Sequence, residues 1–227
     1  MTTPRLLIFD FDGVVADSEL IANTALANAL TGIGLPTTLD ESLARYMGRR
    51  WIDCEADIVA VLDRPLPPDF NDKRRADVRA VLSEGLTEVW GLSAFLAAHV
   101  GWPRCIASSS SHDWLTLSLG IIGIGDLFPH RFSGASDVVH GKPAPDLFLH
   151  AARVMGFAPA DCVVIEDSVA GVTGGVAAGM RVIGLVAGTH IRDGHAETLV
   201  AAGAHEVAAS YDEVAALLGD WTDDRSS

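Results

Sequence analysis

Two aspartates one residue apart, Asp10 and Asp12, come directly after an apolar run in the segment LLIFDFDG at residues 6–13. A short, continuous apolar run is typical of a strand that is buried on both faces of a parallel sheet. Carboxylates at the carboxyl end of such a strand lie where open α/β sheets bind their ligands. One aspartate there could simply cap a helix or form a turn, but two anions beside a buried strand favour a bound cation or a reaction.

A second acidic pair, Glu166 and Asp167, follows the apolar residues 162–165 and precedes Ser168. Helix capping would explain Asp167 or Ser168 alone. Carboxylates that lie a few ångströms apart raise each other's pKa, and a hard divalent cation between them removes this cost. Magnesium prefers such oxygen ligands. The two acidic pairs therefore predict a Mg²⁺ site.

Hydroxyl groups and one lysine complete the set of chemically suitable residues. The apolar segment 104–107 runs into serines 108–111, whose hydroxyl and N–H groups at the start of a helix could bind an anion. A serine-rich turn with a helix cap is the alternative. Lys142, one of only two lysines, lies in HGKPAPD at residues 140–146, where glycine and proline fix the backbone. Acids, hydroxyls, a positioned lysine and a metal are the groups that phosphoryl transfer needs.

The remaining pattern predicts the elements that would bring these residues together. From Trp90 onward, segments with strand and helix character alternate, which indicates βαβ units and a parallel sheet. The strand at 5–9 must join this sheet, since it has no other partner. We therefore expect an α/β fold, a Rossmann-like parallel sheet with helices on both faces. The predicted strands are 104–108, 162–166, 181–186 and 205–208, and the predicted helices are 92–100, 112–120, 145–156, 168–179, 193–202 and 211–218.

A helical segment interrupts this alternation after the first strand. Between Ser18 and Leu86 the apolar spacing is helical throughout, and we expect a small bundle inserted as a domain of its own. The predicted division is an α/β core of residues 1–15 and 88–227 and an inserted helical domain of residues 16–87. The glycines in 171–179 do not match the dinucleotide-binding pattern GxGxxG and favour close packing of a helix on the sheet. The acidic tail, 220–227, is expected to be disordered.

Composition and charge restrict the partners. The chain of 227 residues carries a formal net charge of −14, which argues against nucleic acid and anionic membranes as partners and is otherwise explained by solubility. Cys54, Cys105 and Cys162 are widely spaced without a CxxC pair, so neither zinc nor a disulfide framework is expected. No apolar stretch reaches the length of a membrane span, and the N-terminal segment has no secretory signal. We therefore expect a cytoplasmic protein, by default a monomer.

Four segments in this order resemble the signatures of the haloacid dehalogenase-like superfamily of phosphotransferases. They are DFDGVV at residues 10–15, the serine after CIA at 105–107, Lys142 in GKP, and EDSVAG at 166–171. The helical insertion resembles the α-helical cap of the β-phosphoglucomutase-like, phosphoglycolate phosphatase-like branch. The resemblance runs through the whole chain, and it implies a Rossmann-like core, Mg²⁺ as the cofactor and phosphate chemistry at the acidic pairs.

The resemblance also implies a role for each matching residue. Asp10 would attack phosphorus and carry an aspartyl-phosphate, and Asp12 would protonate the leaving oxygen and then activate water. Ser109 and Lys142 would hold the phosphoryl oxygens, with Ser108 as the alternative to Ser109. The implied metal ligands are Asp10, Asp12 through its backbone carbonyl, Asp167, and Glu166 directly or through water.

Departures from the family patterns narrow the reaction. Asp12 argues for phosphate chemistry, because the true dehalogenases lack this second acid. The β-phosphoglucomutases carry a histidine in the first cap helix, and Ala22 occupies that place here. No lysine lies early in the cap, so the phosphonate-cleaving variant is not expected. The sequence thus predicts a Mg²⁺-dependent phosphatase acting on a small phosphorylated metabolite, a sugar phosphate or phosphorylated sugar acid. A β-phosphoglucomutase-like sugar phosphomutase and a non-catalytic phosphate-binding protein are the alternatives.

Candidates for substrate recognition lie in the helical segment and in the serine cluster. Arg49 and Arg50 could reach a second anionic group of the substrate, or could equally be surface arginines. Glu19, near the entry to the helical segment, and Ser110 are further candidates for substrate contacts. The basic run at residues 73–75 is expected on a solvated helix face.

Overall fold

A sheet of six parallel strands forms the centre of the structure, a computed structural model that describes residues 6–223. The strand order is β3-β2-β1-β4-β5-β6. The strands are β1 (Leu6–Phe9), β2 (Arg104–Ser108), β3 (Arg131–Ser133), β4 (Cys162–Glu166), β5 (Arg181–Leu185) and β6 (Glu206–Ala208). This order is that of a Rossmann-like sheet, so the predicted fold class is confirmed.

Helices cover both faces of the sheet and fill the connection between β1 and β2. Their bounds are α1 (Glu19–Gly32), α2 (Leu39–Tyr46), α3 (Trp51–Leu62), α4 (Phe70–Gly85), α5 (Leu92–Ala98), α6 (His112–Ile122), α7 (Asp146–Met155), α8 (Val169–Ala177), α9 (His195–Ala201) and α10 (Tyr211–Asp223). None of the helices described is both long and apolar enough to cross a membrane.

The first strand explains why the sheet needs helices on both faces. Successive strand side chains point to opposite faces, and all four residues of β1 are buried. Leu7 and Phe9 pack in one hydrophobic cluster with α5, α6 and α10. Leu6 and Ile8 pack in a second cluster with α7, α8 and α9. A continuous apolar run is therefore the pattern that this strand requires.

The strand order places the polar strand ends at one edge. The chain passes from β1 through β2 to β3 on one side, and then crosses back so that β4 pairs with β1 on the other side. Parallel strands present their carboxyl ends to the same edge, and this reversal opens a crevice beside the central strand. The segments that follow β1, β2, β4 and β5 therefore meet at one place.

The helices α1 to α4 have a small core of their own and are also fixed to the sheet. Their own cluster consists of Leu26, Leu30, Tyr46, Cys54, Ile58 and Phe70. Further along α4, Val78 and Leu82 instead join the cluster that contains Phe9. Helix α4 thus connects the helical segment to the face of the sheet that α5, α6 and α10 cover.

Two elements differ from the sequence-based expectation. The edge strand β3 was not predicted, because three residues are too short to show a period. Helix α10 continues to Asp223, so the expected disorder of the tail is wrong for residues 220–223, and residues 224–227 lie outside the part described. The three cysteines are free and buried, two of them in strands as expected.

Candidate active site

A buried lysine joins the ends of two neighbouring strands. Lys142 Nζ lies 2.5 Å from Asp10 Oδ1, just after β1, and 2.5 Å from Glu166 Oε1, the last residue of β4. Burial alone would lower the pKa of Lys142, but the two carboxylates raise it above the ordinary value. The ammonium group therefore stays protonated at neutral pH, at the place where the strand ends converge.

Three acidic residues form a compact buried cluster. Asp10, Glu166 and Asp167 each offer a carboxylate oxygen, and these atoms lie within 4.8 Å of one another. Burial raises the pKa of Asp10 and of Asp167, and the neighbouring acids add to this effect. Both carboxylate oxygens of Asp167 are buried without a hydrogen-bond partner. An unsatisfied buried carboxylate is costly, so the residues present fit a divalent cation with oxygen ligands.

The Glu166 carboxylate has more hydrogen-bond partners than the carboxylates of Asp10 and Asp167. Its Oε1 contacts Lys142, and its Oε2 accepts hydrogen bonds of 2.9 Å from the backbone N–H groups of Asp167 and Ser168 and from the Ser168 hydroxyl. Gly171 lies directly above this carboxylate, where an added Cβ would overlap it. Glu166 thus shapes the loop after β4, and the close helix packing predicted for the glycine-rich segment is observed there.

Asp12 is held in place by three donors from different parts of the chain. Its Oδ1 accepts hydrogen bonds from the Ser18 hydroxyl at 2.6 Å and from Trp114 Nε1 at 3.0 Å. Its Oδ2 accepts one from the Ser110 hydroxyl at 2.6 Å. Ser110, a candidate for substrate contact, therefore positions Asp12 in this structure. Trp114 was missed by sequence reasoning, because nothing in the spacing links it to Asp12.

The serines after β2 form different hydrogen bonds. Ser108 is buried, and its Oγ accepts a hydrogen bond from the Ser110 N–H at 3.0 Å. The Ser109 hydroxyl donates to the carbonyl of Gly48 at 2.7 Å, across to the loop between α2 and α3. Ser111 caps α6 through its side chain. The plain capping role is thus confined to Ser111, and Ser109 faces the helical segment.

A cavity of about 370 Å³ lies between the sheet edge and the helical segment. Its size suits a small metabolite. From the sheet side it is lined by Asp10, Asp12, Ser108, Ser109 and Ser110, and from the helical side by Glu19, Ala22, Asn23, Arg49, Arg50, Trp51, Arg74 and Arg75, among others. The cavity therefore places Asp10, one member of the acidic cluster, opposite most of the basic residues that the sequence singled out.

Arg49 and Arg50 line this cavity, but both guanidinium groups already have partners. Arg49 Nη2 lies 2.8 Å from Asp57 Oδ2. Arg50 donates to Asp53 at 2.7 Å and 2.9 Å, and its Nη1 donates to the carbonyl of Val139 at 2.9 Å. Arg50 thus ties the helical segment to the loop after β3, and neither arginine is left with an unpaired charge.

Glu19 lies within the site. Its buried carboxylate lines the cavity and accepts a hydrogen bond of 2.6 Å from Asn23 Nδ2. Burial raises the pKa of Glu19, and the negative charges of Asp12 and Asp167 raise it further. Glu19 therefore adds a proton-binding group to a region that is already rich in acids.

His190, after β5, is a site residue that sequence reasoning missed. It is buried, and its Nε2 lies 2.8 Å from Asp167 Oδ2, although neither ring nitrogen is oriented for a hydrogen bond. Burial lowers the pKa of His190. The adjacent Thr189 donates to Asp17 from its N–H and its hydroxyl, both at 3.0 Å. The sequence could have indicated His190 as a site residue, because it lies in the loop that follows a predicted strand at the carboxyl edge of the sheet.

The prediction that residues 73–75 lie on a solvated helix face is wrong for Arg74. Lys73 and Arg75 are exposed, but Arg74 is half-buried with its guanidinium 4.1 Å from the centre of the Trp51 ring. Phe70, Arg74 and Val78 are spaced four residues apart on α4, so they share the buried face of the helix. This spacing was the signal that could have separated Arg74 from its neighbours.

Known proteins resemble this chain over most of its length. A family model described as a haloacid dehalogenase-like hydrolase matches residues 4–179. The chain is 28% identical over 193 residues to the 6-phosphogluconate phosphatase of Escherichia coli K12, covering 84% of this chain and 86% of that one. It is 34% identical over 187 residues to hexitol phosphatase A of the same organism, with coverages of 78% and 80%. A solved HAD family hydrolase from Deinococcus radiodurans R1, with bound phosphate and sodium, gives a TM-score of 0.74 at 33% identity and covers 97% of each chain.

Proposed function

The chain belongs to the haloacid dehalogenase-like hydrolases, and we propose that it is a Mg²⁺-dependent phosphatase that hydrolyses a small phosphorylated sugar or sugar acid through an aspartyl-phosphate. The observation that carries this proposal is the buried contact of Lys142 with Asp10 and Glu166, beside the Asp167 carboxylate, whose oxygens accept no hydrogen bond. The names of the two curated relatives support the class of substrate.

Asp10 is the proposed nucleophile. Its Oδ1 is held by Lys142, whose charge favours the ionised carboxylate against the effect of burial. In the first step a carboxylate oxygen of Asp10 bonds to phosphorus, and the bond from phosphorus to the ester oxygen breaks. Asp10 and Asp167 would hold Mg²⁺, with the backbone carbonyl of Asp12, and Glu166 would support the same site by its charge. Bound there, Mg²⁺ would neutralise charge on the phosphoryl oxygens.

Asp12 is the proposed acid and base. When protonated, it gives its proton to the leaving alcohol oxygen. As a carboxylate, it then takes a proton from the water that attacks the aspartyl-phosphate, which releases phosphate and restores Asp10. Hydrogen bonds from Ser18, Ser110 and Trp114 would fix the orientation of Asp12 for both transfers.

The helical segment, residues 16–87, is proposed to act as a cap over the core formed by residues 1–15 and 88–227. Enclosure would exclude bulk water from the aspartyl-phosphate. Ala22 lines the cavity and carries no acid or base. Since the resemblance places a histidine at this position in the β-phosphoglucomutases, Ala22 favours hydrolysis over transfer to a sugar hydroxyl.

Phosphate release from a panel of phosphorylated metabolites, with and without Mg²⁺, tests the proposal. We expect Mg²⁺-dependent release that chelation abolishes, and loss of turnover in Asp10→Asn with ligand binding retained. Conversion between sugar phosphates with little free phosphate would show a mutase. Full activity after exhaustive chelation would show that the reaction does not require Mg²⁺. Substantial activity of Asp10→Asn would show that Asp10 is not the nucleophile. Binding without any turnover would favour a phosphate-binding protein.

A further inference from the structure

One guanidinium group in the cavity is partly buried and forms no ion pair. Within residues 6–223, Arg74 forms neither an ion pair nor a hydrogen bond, and its Nε is buried without an acceptor. Its contact is with the Trp51 ring, at 4.1 Å. Burial lowers the pKa of Arg74 to about 10, so the group stays charged at neutral pH. Arg74 is half-buried, and a partly desolvated cation without an ion pair is costly, which makes this arginine unlike its neighbours.

The other arginines around the cavity differ in a way that isolates Arg74. Arg49 is paired with Asp57, and Arg50 is paired with Asp53. Arg75 lines the cavity but is exposed to solvent, which screens its charge. Arg74 is thus the cavity arginine that is partly desolvated and forms no ion pair, and the Glu55 carboxylate acts on its charge only from beyond ion-pair distance.

A second unsatisfied donor lies next to Arg74. Trp51 also lines the cavity, and its Nε1 is buried without an acceptor. The Trp51 ring stacks on Phe70 at a centroid distance of 6.1 Å, which fixes its plane. A guanidinium that lies over a fixed aromatic ring is oriented by it while its N–H donors stay available. Two buried donors without acceptors in one cavity call for an oxyanion.

We infer that Arg74, together with Trp51 Nε1, binds a second oxyanion of the substrate, remote from the phosphate ester that is hydrolysed. This inference rests on the proposed phosphatase function and narrows its substrate class. The substrate then carries a carboxylate or a further phosphate, and a neutral sugar phosphate would leave the Arg74 charge unpaired. Arg74 thus takes the role that the sequence suggested for Arg49 and Arg50.

Two matched substrates test this directly. 6-Phosphogluconate and sorbitol 6-phosphate have the same carbon chain and ester, and they differ in a carboxylate against a hydroxymethyl group at C1. We expect the wild type to favour 6-phosphogluconate in kcat/KM. Because a hydrogen bond to a charged group is worth more than a neutral one, Arg74→Met should lower the ratio of the two kcat/KM values by roughly 10- to 100-fold. Arg74→Lys should restore part of the preference.

The control variants separate the binding of an anion from a general change of charge. Arg79→Met removes an exposed arginine from the same helix, and it should leave the ratio unchanged. Arg49→Met tests the original candidate, whose charge Asp57 already neutralises. A larger fall in the ratio for Arg49→Met than for Arg74→Met would overturn the assignment. So would equal loss on both substrates in Arg74→Met, since that would indicate packing against Trp51 alone.

Binding measurements separate this inference from the proposed reaction. Calorimetric titration of the Asp10→Asn variant, with Mg²⁺, uses 6-phosphogluconate, glucose 1,6-bisphosphate and sorbitol 6-phosphate as ligands. Selective binding of the carboxylate or the bisphosphate that requires Arg74 would support the inference even if the wild type released no phosphate. Equal binding of all three, or binding of neither doubly anionic ligand, would overturn it even if the wild type were an active phosphatase. The two anionic ligands show which oxyanion is preferred.

Thermal unfolding checks that Arg74→Met is folded. Replacing a half-buried cation that forms no ion pair with an apolar side chain of similar length should keep or raise the Tm. In the wild type, 6-phosphogluconate should raise the Tm more than sorbitol 6-phosphate at the same concentration, and Arg74→Met should lose this difference. A difference that persists in Arg74→Met would contradict the inference.

Discussion

The two sides of the cavity hold their charges in different ways. At the sheet edge, Lys142 pairs with Asp10 and Glu166, which come from separate strands far apart in sequence. On the helical side, Arg50, the residue directly before α3, pairs with Asp53 three residues later in the first turn of that helix. The sheet topology positions the charged groups at the sheet edge, whereas the charged groups on the helical side are positioned by side chains close in sequence. Substrate recognition can therefore change by single substitutions without disturbing the chemical centre.

The largest expected effect comes from removing the cation of the sheet edge. Lys142→Met would leave Asp10 and Glu166 as buried charges without their cation, so we expect a loss of about 3–5 kcal/mol in the free energy of unfolding and no detectable phosphate release. Urea unfolding measures the first effect. Lys73→Met is the control, because its ion pair with Asp69 is exposed, and it should change neither quantity. Equal stability of Lys142→Met and wild type would show that the edge charges are not coupled.

The loop after β4 offers the next largest effect. An alanine Cβ at Gly171 would overlap the Glu166 carboxylate, so Gly171→Ala should lower the free energy of unfolding by about 1–3 kcal/mol and reduce kcat. Gly120→Ala is the matched control, since nothing lies near its Cβ in α6. The control should be stabilised by up to about 1 kcal/mol through helix propensity. Similar effects in both variants would mean that the close approach to Glu166 is unimportant.

A pH-dependent effect is expected at Glu19, where the two sides meet. Its folded-state pKa is raised above the ordinary 4.5, so ionisation costs the folded state more than the unfolded state. As the pH rises above that ordinary value, the wild type should lose stability relative to Glu19→Gln, by at most about 1.4 kcal/mol per pH unit. Urea unfolding of both proteins between pH 4.5 and 8 measures this difference. A difference that stays constant across this range would show that Glu19 has an ordinary pKa.

The smallest effect is expected on the helical side. Arg50→Met would remove the bond to the Val139 carbonyl and the pair with Asp53, both partly open to solvent. We expect KM to rise by no more than about threefold, with no change in preference between 6-phosphogluconate and sorbitol 6-phosphate. Steady-state kinetics on both substrates provide the comparison with Arg74→Met. A changed preference would move the recognition of the second anion to Arg50.

The sequence predicted the sheet edge better than the helical side, for a physical reason. Apolar runs that end in Asp10, Ser108 and Glu166 identify parallel strands, and parallel strands must end at the same edge. The structure brings Asp10, Glu166 and Lys142 together in this way. The assignment of chemical roles to these residues remains a proposal that the variants above test.

What the sequence did not predict depends on side-chain orientation. Arg74 and Arg75 are adjacent and both line the cavity, yet helix geometry leaves Arg74 half-buried and Arg75 exposed to solvent. His190 approaches Asp167 through a loop whose path no periodicity encodes. The pairing of Arg49 and Arg50 with nearby aspartates required knowledge of rotamers, which spacing alone does not supply.

The hydroxyl of Ser109 has a consequence for the order of events in a catalytic cycle. A hydroxyl group has a single hydrogen to donate, and here it is donated to the carbonyl of Gly48. If Ser109 binds a phosphoryl oxygen, as the family resemblance implies, its hydroxyl must first break the hydrogen bond to the Gly48 carbonyl. Arrival of the phosphate would then release one tether between the two halves of the molecule, and departure of the product would restore it.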